Sequence, residues 1–165
     1  MNKLIINNSD FKGLVADLCR QIATDKWQPD YIVGLTRGGL LPAVMMSHYL
    51  NIPMQSLDVS LRDGLGCVSN LGMAEDAFEG KNILIVDDIN DTGATLNWIM
   101  EDWPSGCFPD DEKWPAVWNN NVRFAAIVDN LASKFNATVD YVGMEINKSE
   151  NDVWVEFPYE EWWTK

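Results

Sequence analysis

Ile83-Leu-Ile-Val-Asp-Asp-Ile-Asn-Asp-Thr-Gly-Ala-Thr-Leu96 is the stretch that sets the fold. With Asn82 before it, it opens as a continuous apolar run, the kind buried on both faces of a parallel sheet. The run delivers two carboxylates, Asp87 and Asp88, to the strand's exit. A tight turn carrying a third, Asp91, leads through Thr92, Gly93, Ala94 and Thr95 into a helix predicted over Thr92 to Met100. A helix start offers N–H groups without intrahelical partners, and its dipole favours an anion there. Gly93 permits close backbone approach, and Thr92 and Thr95 add hydroxyl donors, so this turn is suited to cradling a phosphate. Three aspartates beside a phosphate are repulsive unless they meet hydroxyls or a cation. Paired carboxylates accept hydrogen bonds from a ribose diol and hold Mg²⁺ through water. The chain contains neither a GxxxxGK[ST] loop nor a GxGxxG turn.

Upstream, Tyr31-Ile-Val-Gly-Leu35 reads as a short apolar strand ending in the turn Thr36-Arg37-Gly38-Gly39. That turn can present successive N–H groups to a pyrophosphate, with Arg37 as a charged clamp. Leu40 to Leu50 follows as a helix, with Pro42 tolerated in its first turn. Phe11 to Asp25 carries the i, i+3, i+4, i+7 stripe of an amphipathic helix with Asp10 placed to cap it. Gln55 to Leu61 alternates as a half-buried strand does. Residues 62–80, with four glycines and little periodicity, read as a mobile loop. Residues 103–120, rich in Trp, Pro, Asp and Asn, read as an irregular insertion covering a subunit interface or the domain edge. Arg123 to Asp129 and Thr138 to Val142 are further predicted strands. Strands alternating with helices imply an α/β domain with a mainly parallel twisted sheet flanked by helices. In such sheets ligands sit outside the carboxyl ends of the strands, which points at Thr36–Gly39 and at Asp87–Thr95.

The chain has 165 residues, 47% of them hydrophobic, which suits a single domain over 1–165 with a sizeable core. No apolar run reaches the roughly 18 residues needed to span a bilayer. Its charge of −13, with 12 Lys and Arg residues scattered singly, disfavours nucleic-acid partners. Any phosphorylated ligand must then be held by backbone amides, a divalent cation and a few placed cations. Cys19, Cys67 and Cys107 form no CxxC pair and read as reduced thiols of a cytoplasmic protein. His48, within a predicted helix, reads as structural.

Val86-Asp-Asp-Ile-Asn-Asp-Thr-Gly-Ala-Thr95 resembles the phosphoribosyl-pyrophosphate signature of type I phosphoribosyltransferases. Thr36-Arg-Gly-Gly39, about fifty residues earlier, resembles the pyrophosphate loop of the bacterial xanthine-guanine and hypoxanthine group. A third segment, Trp154-Val-Glu-Phe-Pro-Tyr159, resembles that group's C-terminal segment that closes over the purine. The resemblance implies transfer of a 5-phosphoribosyl group to a nucleobase, expected to be hypoxanthine, guanine or xanthine, with Mg²⁺ as cofactor. It implies that Asp87 and Asp88 orient the ribose diol and, directly or through water, the metal. Thr92 to Thr95 would hold the 5′-phosphate, and Asp91, beneath the purine, would act as general base or hydrogen-bond acceptor toward the N7 proton. Thr36, Arg37, Gly38 and Gly39 would bind pyrophosphate, entered through a peptide bond that is often cis in the family. In a C-terminal base-binding segment over 143–165, Trp154 would stack on the base and the Val155 backbone would read its edge. Stacking on a flat base is worth about 1–3 kcal/mol. The 62–80 loop would close over the sugar, with Arg62 reaching the pyrophosphate. A homo-oligomer, dimer or tetramer, is expected.

One position departs from the group. A lysine after the strand following the aspartate motif usually binds the purine 6-oxygen. Here Asp129 or Asn130 occupies the approximate place, and Lys134 lies further along. A phosphoribosyl-pyrophosphate-sensing regulator of the same fold and a pyrimidine or orotate enzyme are the competing readings.

Overall fold

Strands β2 (Tyr31–Leu35) and β6 (Ile83–Asn90) pair in parallel at the centre of the molecule. The computed structural model, which describes residues 2–61 and 66–165, builds outward from them a five-stranded parallel sheet of order β3-β2-β6-β7-β8. Its other strands are β3 (Met54–Leu57), β7 (Val122–Asn130) and β8 (Tyr141–Ile146). Helix α1 is Asn8–Asp25, α2 is Leu40–Leu50, α3 is Leu71–Phe78 and α4 is Ala94–Gly106.

The near-unbroken apolar runs of β2 and β6 follow from burial on both faces. Ile32, Leu84 and Val86 turn toward α1 and α2, while Tyr31, Val33, Leu35, Ile83 and Ile85 join the core on the other face. Successive side chains of a strand alternate between faces, so each central strand feeds two cores. Gly34 is required by the tight seat of α2: a Cβ there would stand 2.8 Å from the Ala43 Cβ.

From β2 the chain moves outward to β3 on one side, and β6, β7 and β8 are then laid down on the other. The order of connection therefore reverses between β2 and β6. A crevice opens at such a reversal, outside the strands' carboxyl ends. Both sequence motifs leave the sheet there.

Several predicted elements need correction. The cap of α1 is Asn7, whose Oδ1 accepts from the Asp10 amide at 2.8 Å; Asp10 completes a capping box from the third helical position. The strand expected over 55–61 is broken at Asp58, after which β4 (Val59–Ser60) pairs antiparallel with β5 (Gly66–Cys67). Residues 71–78, expected within a loop, form α3, where the Asn70 side chain accepts from the Met73 amide at 3.0 Å. Residues 62–65, and with them Arg62, lie outside the described residues. The first residues of the expected insertion complete α4, and Trp114–Ala116 form a short 3-10 turn. Trp103, Cys107, Trp114 and Val117 are buried in the core beneath α3 and α4, and Trp118 packs against it. This tract supplies aromatic core rather than an edge covering, because each large ring removes some 150–250 Å² from water. Strand β8 begins at Tyr141, three residues later than expected.

After β8 the chain returns as β9 (Val153–Glu156), which pairs in parallel with β1 (Asn2–Ile5) in a separate two-stranded sheet. No helix among the described residues is long and apolar enough to cross a membrane.

Candidate active site

A cavity of about 590 Å³ lies over the β2–β6 reversal. It is lined by Thr36, Arg37 and Gly38 from the end of β2 and by Asp87 through Leu96 from β6 and the start of α4. Val59 and Leu61 contribute from the β4 strand and its turn, and Trp154, Tyr159, Glu160, Glu161 and Trp163 from the C-terminal segment. Four segments distant in sequence thus face one space. Of the described residues that the resemblance assigns to ribose, phosphate, pyrophosphate or base, Gly39 and Val155 are not in the lining. Gly39 is the N-cap of α2, and a Cβ there would run into the Val86 carbonyl and stand 2.8 Å from the Leu35 amide. Val155 is buried among the residues packed under α1.

The Thr36–Arg37 peptide bond is cis. Behind it, Gly38 packs closely against Asp88: a Cβ there would run into Oδ2, so any side chain would displace the carboxylate. Asp88 is further held by its neighbours. Its Oδ1 accepts from the Ile89 amide at 2.8 Å, and its Oδ2 accepts from the Tyr159 hydroxyl at 2.8 Å. The Asp88 amide donates to Asp87 Oδ1 at 2.9 Å.

Gly93 precedes α4 with φ +90°, a left-handed conformation that a side chain resists. It also has no room for one, since a Cβ would collide with the backbone of Lys134 and Phe135. That segment is strapped over the turn: the Lys134 amide donates to the Thr92 carbonyl at 2.9 Å, and Asn97 Nδ2 donates to the Lys134 carbonyl at 3.0 Å. Thr92 Oγ1 accepts from the Ala94 amide at 3.2 Å. The turn is rigid and presents the helix's amino end to the cavity, as an anion site requires.

Asp91 lies between this cradle and the end of β7. Asn130 Nδ2 donates to the Asp91 carbonyl at 2.9 Å and to its Oδ1 at 3.3 Å, and Lys148 Nζ pairs with the same Oδ1 at 2.9 Å. Asp129, the other residue at the approximate lysine position, accepts from Asn90 Nδ2 at 2.8 Å. Burial pushes its carboxyl above the usual range, with Glu145 adding to the effect and the Asn90 bond opposing it. The Lys134 carbonyl and amide brace the cradle, and its side chain is not part of the cavity lining.

On the C-terminal side, Trp154 is 39% exposed and faces the cavity, while Val155 turns inward, as strand alternation dictates. Tyr159 stacks on Phe157, with ring centroids 5.6 Å apart, and meets the edge of Phe11 on α1. Burial, then the Asp88 charge, pushes the Tyr159 hydroxyl well above its ordinary range, so it stays a donor. Glu160 is likewise raised, first by burial and then by Asp88. Sequence reasoning passed over Tyr159 and Lys148. The strand-end rule could have flagged Lys148, which follows β8 by two residues.

Residues 3–162 match the family described as the phosphoribosyl transferase domain. The chain belongs to that family. Hypoxanthine-guanine phosphoribosyltransferase of Schizosaccharomyces pombe is 24% identical over 186 residues, covering 96% of this chain and 89% of that protein. Xanthine-guanine phosphoribosyltransferase of Idiomarina loihiensis is 33% identical over 96 residues, 54% of this chain and 56% of that one. Xanthine phosphoribosyltransferase 1 of Saccharomyces cerevisiae is 26% identical, and the match spans 59% of its length. Among solved structures, a purine phosphoribosyltransferase from Pyrococcus horikoshii superposes with a TM-score of 0.67 at 25% identity, over 98% of this chain and 96% of that one.

Proposed function

We propose that this phosphoribosyltransferase-family protein transfers the 5-phosphoribosyl group of phosphoribosyl pyrophosphate to a purine, giving a nucleoside monophosphate and pyrophosphate in purine salvage. The observation that carries the reading is the meeting of both motifs and Trp154 in one cavity at the strand-order reversal. Arg37 and the Gly38 turn receive the pyrophosphate. Thr92, Gly93, Ala94 and Thr95 hold the 5′-phosphate at the amino end of α4, and Asp87 and Asp88 orient the ribose hydroxyls. Trp154 stacks on the base. Asp91 accepts the purine N7 proton as the N9–C1′ bond forms and the bond from C1′ to pyrophosphate oxygen breaks.

The donor set suits Mg²⁺. Among the described residues no three His, Cys, Asp or Glu side chains are clustered to cage a metal, and Asp87 and Asp88 line the cavity as a carboxylate pair. Mg²⁺ is commonly held by one or two carboxylates with water and substrate phosphate completing the shell. When bound there it would neutralise the leaving pyrophosphate. Arg37 is the single Lys or Arg in the described lining, which leaves most of that charge to a metal. The same reading includes a cytoplasmic location and self-association; Leu41, Val44 and Tyr49 stand exposed along α2.

A base panel with Mg²⁺, monitored by pyrophosphate release, tests the proposal. Hypoxanthine, guanine or xanthine should consume phosphoribosyl pyrophosphate. Turnover of orotate alone would replace the purine reading, and binding without turnover of any base would leave a sensor.

A further inference from the structure

Asn130 and Lys148 enclose Asp91 from two different elements, and neither lines the cavity that Asp91 faces. Asn130 closes β7 and is 5% exposed. Its Nδ2 grips both the carbonyl and the Oδ1 of Asp91, while its Oδ1 accepts from the Ala132 amide at 3.1 Å and the Lys148 amide at 3.0 Å. The backbone of Lys148 is therefore pinned by the same side chain that pins Asp91. From that fixed point Lys148 Nζ reaches Asp91 Oδ1 at 2.9 Å, with the two side chains only 17% and 18% exposed. Exposed ion pairs are loosened by water and by their own side-chain freedom. This one is shielded and anchored at both ends. Two donors converging on one carboxylate oxygen fix the plane of the group as well as its position.

We infer that Lys148 is a positioning residue: with Asn130 it clamps Asp91 by Oδ1 and sets the carboxylate toward the base. The inference rests on Asp91 acting as the proton acceptor proposed above. A proton acceptor works only within hydrogen-bond reach of the proton it takes, and small misplacements cost large factors in rate. The clamp supplies that placement from a loop outside the described cavity lining. The β8–β9 connection thereby acquires a part in the reaction.

The test compares Lys148→Met, Lys148→Arg, Asp91→Asn and the Lys148→Met/Asp91→Asn double variant, assayed at saturating phosphoribosyl pyrophosphate with the fastest purine of the panel. Lys148→Met should lose about tenfold or more in kcat, with the KM for phosphoribosyl pyrophosphate little changed. Lys148→Arg should recover most of the loss. The double variant should be no slower than Asp91→Asn, because residues acting as one unit do not add. If Lys148→Met folds poorly, Lys148→Gln carries the same comparisons. Parental kcat in Lys148→Met beside an impaired Asp91→Asn would overturn the clamp alone, as would losses that multiply in the double variant. Parental kcat in Asp91→Asn would instead remove the role of Asp91, and the clamp with it.

Discussion

The Tyr159 hydroxyl donates a 2.8 Å hydrogen bond to Asp88 Oδ2, joining the C-terminal segment to the acidic pair at the end of β6. The same hydroxyl lies 3.3 Å from the Gly38 carbonyl, so one phenol ties the C-terminal segment to both motif segments of the cavity. Its ring is fixed by Phe157 and Phe11, which carries the rigidity of the α1 core out to the site. Asp88 therefore meets its ligands already oriented, and ordering it on binding costs little.

Tyr159→Phe should keep the ring stack and the fold while removing that donor. A hydrogen bond to a charged group contributes about 1.5–3 kcal/mol. The affinity for phosphoribosyl pyrophosphate with Mg²⁺ should fall by about tenfold or more, read by calorimetry. Unchanged affinity together with a parental melting temperature would show that Asp88 needs no such support.

Glu160 gives a pH prediction. Its carboxyl is raised from the ordinary 4.5 by burial and by Asp88. A raised carboxyl binds its proton more tightly in the folded than in the unfolded chain, so it favours folding when protonated and opposes it when ionised. The folded state should lose this contribution as the pH climbs from 4.5 through the raised value, and the deficit should persist at neutrality. Glu160→Gln should melt higher than the parent at pH 7, and the difference should shrink as the pH falls below 4.5. An equal difference at both pH values would assign the effect to packing.

Sequence served best where the residue pattern and the local geometry have the same cause. Tyr31–Leu35 and Leu40–Leu50 were legible to the residue because the glycine turn between them ends one element and starts the next. It served worst where tertiary burial overrides composition. The Trp- and Pro-rich tract after Met100 looks irregular by residue type, yet its rings fill the core under α3 and α4. Leu71–Phe78 is short and carries Gly72, so the surrounding glycines mask its apolar stripe. Lys148 could be placed beside Asp91 only by the strand order, since 57 positions of sequence separate them and no local pattern links them.

Gly93 separates two reasons for needing glycine. Crowding of a bound phosphate predicts a loss of ligand affinity with the fold intact. The strap formed by Lys134 and Phe135 adds a second consequence, because a Cβ has nowhere to go even without ligand. Gly93→Ala should therefore lower the melting temperature as well as the affinity for phosphoribosyl pyrophosphate. Loss of affinity with an unchanged melting temperature would mean that the strap yields.

Arg37 should discriminate between ligands. It lines the cavity from the turn after β2, on a different segment from the residues assigned to the 5′-phosphate. Arg37→Ala should raise the KM for phosphoribosyl pyrophosphate strongly and weaken binding of the nucleotide product, which has no pyrophosphate, much less. Equal losses for the two ligands would place Arg37 at the 5′-phosphate instead.

Trp154 and Val155 are neighbours with opposite surroundings, and substituting them should give opposite results. Trp154 is 39% exposed on the cavity side of β9, so its indole contributes more to a ligand than to the core. Stacking of a base on an aromatic ring is worth about 1–3 kcal/mol, so Trp154→Ala should raise the KM for the purine by between about fivefold and a hundredfold. The KM for phosphoribosyl pyrophosphate and the melting temperature should move little, and Trp154→Phe should keep part of the affinity. Val155 is 6% exposed and packs with Ile6, Phe11 and the other residues under α1. Removing its methyl groups leaves a cavity costing about 1–3 kcal/mol, so Val155→Ala should melt several degrees lower. If its melting temperature falls while the purine KM holds, the side chain belongs to the core and the base is met from position 154. A purine KM that rises in Val155→Ala and not in Trp154→Ala would reverse the two roles and take Trp154 out of the site.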